Sequence, residues 1–242
     1  MAYVHVSNGQ NLLLSVLQQN GGPDLFPSME LLHLGIRHVL YEPDVPIEYV
    51  YFPVDSVLSM LANMEQGIEI EVGTVGNEGM VGLPLFLGSD TTPGRAFSHV
   101  PGYAYRLPAA AFKESIQRPS QLTKVLHRYT QALMVQISQG TGCNRVHPDS
   151  ERCARWLLQT HDRVGMDEFS LTQEFLAQMI GVRRATVSET AAKLQANGLI
   201  SYSRGIVRII DRKRLEEASC ACYGVVRKEY DRMYEQLTST TL

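Results

Sequence analysis

The stretch that decides the fold is GVRRATVSETAAKLQANGL, residues 181–199. It opens on a glycine, places Arg183 beside Arg184, and ends at Asn197 and Gly198, which are typical of a helix C-terminus. A helix is predicted just before it, over residues 172–180. Two short helices joined by a turn of about three residues form a helix-turn-helix pattern.

The start of the first helix carries two possible N-caps. Thr172 is one, and Ser170 is the other, because Ser170 and Gln173 together fit the S-x-x-Q capping box. The inward positions of the pair are apolar: Leu176, Ala177, Ile180, Val182, Val187 and Leu194. The outward positions near the start of the second helix would face a major groove, because recognition helices enter with their N-terminal turns.

Residues 199–210 follow with two β-rich segments around Ser203, Arg204 and Gly205, which predict a hairpin. A hairpin directly after a recognition helix is a wing, and Arg204 at its tip would reach a phosphate or the minor groove. The alternative is a purely structural three-helix bundle. The predicted DNA-binding residues are Thr172, Gln173, Arg183, Arg184, Thr186, Ser188, Glu189, Lys193, Ser203 and Arg204.

Residues 36–107 change to a period typical of strands. Short β-branched or aromatic segments alternate with Gly, Pro and Asp turns, and residues 64–68 resemble a hairpin tip. This spacing, with no helix between the segments, predicts an antiparallel barrel or double-sheet roll. Short helices are predicted over residues 11–20, 26–34 and 109–116.

A long helix is predicted from Ser120 to about Asn144, and His147-Pro148-Asp149 ends it before a further helix over residues 150–164. One apolar stripe steps by four and three residues, like the seam of a coiled coil. The helix would pack on a second chain and, through neighbouring apolar residues, also on its own domain. The alternative is a core helix of a single chain. The predicted dimerisation residues are Leu122, Leu126, Tyr129, Leu133 and Ile137.

Composition narrows the class of protein. The chain has 242 residues with 44% hydrophobic and 19% charged residues, which is ordinary for a globular protein. No apolar run is long enough to span a membrane and no secretion signal is evident, so a cytoplasmic location without a membrane partner is expected. Residues 145–242 hold 15 Lys/Arg and 13 Asp/Glu, whereas residues 1–144 hold 7 and 12, so the basic half is C-terminal.

Four cysteines occur, namely Cys143, Cys153, Cys220 and Cys222. Their spacing lacks the two matched pairs of a zinc motif, so no metal or iron–sulfur cluster is expected, and the cofactor is unknown. Ordinary thiols are the preferred interpretation, and a redox role of Cys143, Cys220 or Cys222 stays open.

The sequence contains no P-loop, G-x-S-x-G or H-E-x-x-H motif of the common enzyme classes. Cys143 and His147 mimic a catalytic pair only by spacing, so no enzyme is expected.

Nearly the whole chain resembles the Crp/Fnr superfamily of bacterial transcription regulators. The resemblance is carried by VLYEPDVPIEYVYFPVDSVLSML (39–61), VGNEGMVGLPLFLG (75–88) and LTQEFLAQMIGVRRATVSETAAKLQANGLISYSRGIVRIIDRKRLEEAS (171–219). It implies an α+β chain with three parts: a cyclic-nucleotide-binding-like β-roll sensor over residues 1–118, a dimerisation helix over 119–146 and a winged helix-turn-helix over 147–242. It also implies a homodimer on a near-palindromic operator.

The recognition helix departs from the best-known members of the superfamily, which usually read S-R-E-T-V-[GS]-R. Here Arg184 keeps the arginine that reaches guanine or phosphate, but Ala185 replaces the glutamate and Glu189 replaces the second base-reading arginine. Glu189 could orient Arg184 or accept from a cytosine amino group. The operators of those members are therefore not carried over.

The sensor departs as well. The ligand-binding positions that the resemblance implies are Gly82, Leu83, Arg95 and Ala96, where a cyclic-nucleotide binder has Gly-Glu and Arg-Ser. The glutamate that binds the ribose is missing, so cyclic AMP is not the expected signal, and Arg95 could equally be a solvated strand-end residue.

Other cofactor-based sensors are also disfavoured. No cysteine precedes Cys143, which argues against an iron–sulfur sensor of the Fnr type. Candidate axial ligands for haem exist, but a lone histidine is usually structural: His33, His38, His99 and His127.

The sequence thus predicts a homodimeric, sequence-specific DNA-binding regulator that a signal in the roll controls allosterically. Its expected partners are double-stranded DNA and a second copy of the chain, with RNA polymerase and a small-molecule effector as further candidates. The alternative is a signalling or scaffold protein whose C-terminal helices bind another protein, and salt-dependent DNA binding distinguishes the two.

Overall fold

The computed structural model describes residues 10–65 and 68–239. The chain begins with α1 (Leu12–Gln19), as predicted. Asn11 caps it by accepting a hydrogen bond from the Leu14 N–H. The Asn11 amide also donates to the carbonyl oxygens of Pro53 and Gly79 at 2.9 and 2.8 Å, so the cap fixes α1 to the strands that follow.

A β-roll of two antiparallel sheets follows, and this prediction is confirmed. One sheet has the strand order β1-β7-β3 and the other β2-β6-β4-β5. The strands are β1 (Glu30–Leu34), β2 (Val39–Tyr41), β3 (Tyr49–Pro53), β4 (Val57–Asn63), β5 (Glu69–Val75), β6 (Arg95–Val100) and β7 (Gly102–Pro108). Met64 donates its N–H to the Ile68 carbonyl where β4 turns into β5, and residues 66–67 of this hairpin lie outside the described residues.

Two helix predictions in this part are corrected. Residues 26–34 do not form a helix, because a 3₁₀ turn (Phe26–Ser28) leads directly into β1. Pairing of β1 with β7 along its whole length outweighs the local apolar spacing. A short helix, α2 (Leu83–Phe86), lies between β5 and β6, where no helix was expected. The predicted helix over residues 109–116 is α3 (Ala109–Ile116).

The long helix is α4 (Gln121–Val146), which Ser120 caps through a reciprocal capping box with Thr123. Its predicted apolar stripe faces its own chain. Leu122, Leu126, Tyr129 and Leu133 are buried in the core of the roll, and Ile137 packs against that core. The roll, α1 and the last helix of the chain pack against this face, as the alternative of a single-chain core helix describes, and a role of the five residues in dimerisation stays a prediction.

The C-terminal part contains α5 (Asp149–Val164), β8 (Glu168–Ser170), α6 (Gln173–Ile180), α7 (Arg184–Ala196), β9 (Ile200–Ser203), β10 (Ile206–Ile209), α8 (Arg212–Glu217) and α9 (Cys222–Ser239). β8, β10 and β9 form a three-stranded sheet. Among the described residues, no helix combines the length and the apolar character needed to cross a membrane.

Two hydrophobic cores meet in the middle of the molecule. The core of the C-terminal helices is continuous with the second sheet of the roll, through Val57, Leu61, Phe97 and Val100. Most of the last helix packs against the roll. α9, which the sequence prediction placed with the DNA-binding domain, packs Val226, Tyr230, Met233 and Leu237 into the core of the roll. The two halves are therefore connected through α4, the sheet surface and α9.

Candidate nucleic-acid interface

The helix-turn-helix consists of α6, a tight turn and α7. Thr172, and not Ser170, is the N-cap of α6, because its side chain accepts from the Phe175 N–H while Ser170 pairs with Ile206 in the sheet. Gly181 ends α6 with a φ of 67°, a left-handed conformation that glycine adopts without strain. Arg183 caps α7 by its backbone only.

The wing is the β9–β10 hairpin. Arg204 and Gly205 both have positive φ, 51° and 77°, as a two-residue type I′ turn requires. The wing is fixed to the start of α6 by two hydrogen bonds of 2.8 Å: the Leu171 N–H donates to the Gly205 carbonyl, and the Tyr202 hydroxyl donates to the Leu171 carbonyl. The wing tip and the first turn of α6 therefore hold a fixed spacing.

An open cleft of about 350 Å³ lies between α6, α7 and the wing. It brings together four of the predicted DNA-binding residues, and two further residues that the prediction did not include, Tyr202 and Gly205. The signal for these two was present, since Tyr202 is an aromatic residue of the wing and Gly205 follows Arg204 in its turn. The lining residues are Thr172, Gln173, Arg184, Tyr202, Arg204 and Gly205.

The other predicted DNA-binding residues lie along the same helix and wing. Arg183, Glu189, Lys193 and Ser203 are exposed, and Thr186 is half-buried. Ser188 donates to the Gln173 Oε1 at 2.5 Å and so ties α7 to the first turn of α6. We interpret Ser188 as a residue that positions Gln173 at the cleft.

Arg184 carries an exposed charge in the cleft. Its side chain is 68% exposed, and its nearest carboxylate, Glu174 Oε2, lies 4.0 Å from Nε. An ion pair at this distance between two exposed groups contributes little to stability. The carboxylate beside Arg184 is that of Glu174 in α6, and the roles considered for Glu189 stay predictions. The guanidinium remains accessible to an external anion.

The opposite side of the same domain is buried against the roll. Arg163 of α5 donates from Nε to Glu78 Oε1 at 2.8 Å, with side chains only 5% and 1% exposed. Arg163 also donates to Gln136 Oε1 of α4 at 3.0 Å, and Tyr230 of α9 donates to the same oxygen at 3.1 Å. One polar junction thus joins the roll, α4, α5 and α9, and sequence analysis did not predict it.

A second polar cluster lies between the roll and α5. Glu71 accepts from the Trp156 indole N–H at 3.0 Å and from the Ser59 hydroxyl at 2.8 Å, and burial raises the pKa of Glu71 to about 7. His99 stacks near Trp156 and Phe175, and burial lowers the pKa of His99 to about 3. His99 is therefore a neutral residue of this interface, which fits a structural histidine better than an axial ligand.

The residues predicted to bind a ligand occupy ordinary structural positions. Gly82 has a φ of 108° and precedes α2, and a Cβ there would lie 2.7 Å from Val50 Cγ1. Leu83 and Ala96 are buried in the roll. Arg95 forms ion pairs with Glu42 and Glu69, at 3.1 and 3.3 Å, which compensate its charge. Their role in ligand binding stays a prediction.

The expectation that the chain has no metal site is corrected by the fold. Cys143, His147, Cys220 and Cys222 bring their ligand atoms within 4.8 Å of one another, a group that could hold a metal ion. Sequence spacing missed it because the two pairs lie far apart in the chain. Burial raises the pKa of the Cys143 and Cys220 thiols, so both are protonated in the absence of a metal.

A capped helix-turn-helix with a wing and an exposed arginine defines a winged-helix DNA-binding protein. Residues 151–218 match the Crp-like helix-turn-helix domain family. No curated protein matches the sequence.

Solved structures share the fold over about four fifths of the chain. FixK2 from Bradyrhizobium japonicum is 16% identical with a TM-score of 0.67, over 80% of this chain and 98% of its own. A putative regulator of the Crp/Fnr family from Eubacterium rectale is 17% identical with a TM-score of 0.64, over 83% and 96%. TTHB099, a regulator of the CRP family from Thermus thermophilus, is 16% identical with a TM-score of 0.65, over 78% and 96%.

The resemblance to Crp/Fnr regulators is thereby confirmed in two respects: residues 151–218 match the DNA-binding helix-turn-helix domain of Crp-like regulators, and the solved structures share the fold of the chain. Two of these structures are described as transcriptional regulators. At under 20% identity, the solved structures establish the shared fold, whereas the Crp-like domain match carries the DNA-binding function.

Proposed function

We propose that the protein binds DNA through the cleft between α6, α7 and the wing, as a homodimer whose two winged helices are positioned by the roll. The observation that carries this proposal is the cleft itself, which gathers Thr172, Gln173, Arg184 and Arg204 on one open surface. The N-terminal turn of α7 would enter the major groove, and Arg204 would contact a phosphate or the minor groove.

Arg184 is the residue proposed to read a base. Its guanidinium is exposed and only distantly paired, and an arginine that contacts guanine through two hydrogen bonds is the most common specific contact. Thr172 and Gln173, at the start of α6, would contact the backbone and set the register of α7. Because Ala185 and Glu189 stand where the better-known members have base-reading residues, the operator would differ from theirs.

Homodimerisation would use the side of α4 that its own chain leaves open. Exposed or half-exposed residues recur there every three or four positions, which is the spacing of a coiled-coil seam. Met134 is 58% exposed on this side. The residues of this proposed dimer face are Gln131, Met134, Ser138, Thr141 and Arg145.

Effector control would act on the contact between the roll and the DNA-binding domain. A cavity of about 230 Å³ is lined by residues from β5, α4 and α5, among them Glu71, Gln136, Arg155 and Gln159. A molecule bound there would contact both halves of the chain, and it would shift their arrangement only by binding one arrangement more tightly than the other. RNA polymerase is the further partner that an activator of this kind would contact.

The test is DNA binding by wild type, Arg184→Ala and Arg232→Ala on a duplex selected from random sequences. Arg232 lies on α9, is 58% exposed and pairs with Glu229, so it is a matched control outside the cleft. We expect Arg184→Ala to weaken specific binding by about 1–3 kcal/mol and to flatten base preference at one position of each half-site. Arg232→Ala should bind like wild type, with two chains per duplex.

Four results would contradict parts of the proposal. Equal weakening on all sequences would make Arg184 a phosphate contact only. Equal weakening by both variants would show that the cleft is not the DNA-binding surface. One chain per duplex would overturn the dimer. A protein that binds no duplex in a salt-dependent manner would favour the scaffold alternative.

A further inference from the structure

The end of α4 and the start of α9 meet at a group of three cysteines and one histidine. The Cys143 and Cys220 sulfur atoms lie 3.4 Å apart, and Cys222 Sγ lies 3.5 Å from His147 Nδ1. All four ligand atoms lie within 4.8 Å of one another. The three cysteines are buried and His147 is half-buried, so the group is largely shielded from solvent.

These distances fit one metal ion at the centre of the group. A zinc ion, bound to sulfur at about 2.3 Å and to nitrogen at about 2.0 Å, holds neighbouring ligand atoms roughly 3.5–3.8 Å apart in a tetrahedron. The Cys143–Cys220 sulfur distance of 3.4 Å and the Cys222 Sγ–His147 Nδ1 distance of 3.5 Å lie within a few tenths of an ångström of this range. The widest separation in the group, up to 4.8 Å, would have to shorten by about 1 Å. A cluster of several metal atoms would push the ligands farther apart.

The donor set also favours a thiophilic divalent ion. Three sulfurs and one imidazole nitrogen form one of the ligand sets of structural zinc sites, whereas calcium and magnesium prefer oxygen. The Gln139 amide donates to Cys222 Sγ at 3.1 Å, which is the kind of outer hydrogen bond that orients a thiolate ligand. Each coordinating thiol would release its proton to solvent, and His147 would bind as the neutral imidazole.

The position of the group gives the ion a structural role. Cys143 and His147 belong to the last turn of α4 and its end, next to α5. Cys220 and Cys222 flank the entry to α9, just beyond residue 218, where the match to the Crp-like domain ends. α9 then runs back onto α4 and the roll. An ion here would fasten the start of α9 to the end of α4, at the joint between the two halves.

We propose that Cys143, His147, Cys220 and Cys222 form a structural zinc site that clamps α9 to the end of α4. The remaining cysteine provides a matched control. Cys153 is fully buried in the core of the C-terminal domain and is not part of the group, so Cys153→Ser removes a buried thiol without touching the site. The proposal concerns metal binding and is tested without DNA.

The test is metal loading of the reduced full-length protein. Wild type and Cys153→Ser should each hold one zinc ion per chain by native mass spectrometry, and Co²⁺ should give the visible absorption of a tetrahedral thiolate site. Cys222→Ser and Cys143→Ser should bind at least about 100-fold more weakly, because even outer-shell changes cost 10–100-fold. Removing the metal from wild type with a chelator should lower Tm, and zinc should restore it.

Wild-type protein measured with and without chelator keeps the test valid if a cysteine variant fails to fold. The proposal is overturned if reduced wild-type protein takes up no stoichiometric zinc or cobalt, including the case in which only a Cys143–Cys220 disulfide is found. It is also overturned if Cys153→Ser loses metal as strongly as Cys222→Ser, or if Co²⁺ binds with the spectrum of an octahedral oxygen site.

Discussion

Two arginines of one domain show how the same side chain serves opposite purposes. Arg184, at the start of α7, is 68% exposed and lies 4.0 Å from the Glu174 carboxylate. Arg163, at the end of α5, is 5% exposed and bonded to Glu78 at 2.8 Å. Arg184 is accessible to an external anion, whereas Arg163 is paired with a carboxylate inside the protein. The exposed side of the domain is thus available to DNA, and the buried side fixes the domain to the roll.

Removing the buried carboxylate of Glu78 should have the largest effect on stability. Glu78→Ala deprives a buried guanidinium of its ion pair, so we expect the free energy of unfolding to fall by about 3–5 kcal/mol. Glu174→Ala removes the exposed carboxylate opposite Arg184, and the expected change is under about 1 kcal/mol. Urea denaturation of both variants measures the difference, and equal losses would refute the distinction between the two arginines.

A smaller, pH-dependent effect is expected from the buried side, at Glu71 and His99. The raised pKa of Glu71, about 7, means that the folded state holds a proton that the unfolded carboxyl releases near pH 4.5. Stability from this group is therefore complete below about pH 4.5 and is lost as the pH rises through 7. His99, with its pKa lowered to about 3, acts in the opposite direction, because its contribution is complete above about pH 6.5 and is lost as the pH falls.

Glu71→Gln isolates the carboxyl from the histidine. The variant keeps acceptor and donor atoms for Trp156 and Ser59 but cannot ionise. Relative to wild type, it should gain about 1 kcal/mol of stability between about pH 5 and pH 8, a value reduced because Glu71 is only partly buried. Trp156 is the only tryptophan of the chain and bonds to Glu71, so its fluorescence follows unfolding. Parallel pH profiles for the two proteins would rule out Glu71 as the source.

The sequence was sufficient where local chemistry determines structure. The turn at Gly181, the cap at Thr172 and the wing turn at Arg204 and Gly205 each follow from residues next to one another. The strands of the roll follow from short apolar segments between turn residues. The cleft could be predicted from these elements because α6, α7 and the wing are consecutive, and a helix-turn-helix fixes their arrangement.

The sequence was insufficient where distant segments meet. Residues 30–34 form a strand because β7 pairs with them, although their local spacing resembles a helix. The stripe of α4 has the period of an intermolecular seam, yet the roll and α9 cover it, and period alone cannot name the covering surface. Glu78 and Arg163, which form the buried ion pair, lie 85 positions apart in the chain. Cys143 and Cys220 lie 77 positions apart. Local spacing in the sequence could reveal neither contact.

DNA should bind the exposed side of the winged helix while the buried side stays attached to the roll. Hydrogen exchange with and without the selected duplex locates the contact directly. Amides of residues 172–176, 184–189 and 202–206 should gain protection, and those of α9 should not change. Protection confined to α8 and α9, with the cleft unchanged, would contradict the claim and place the binding surface on the C-terminal helices.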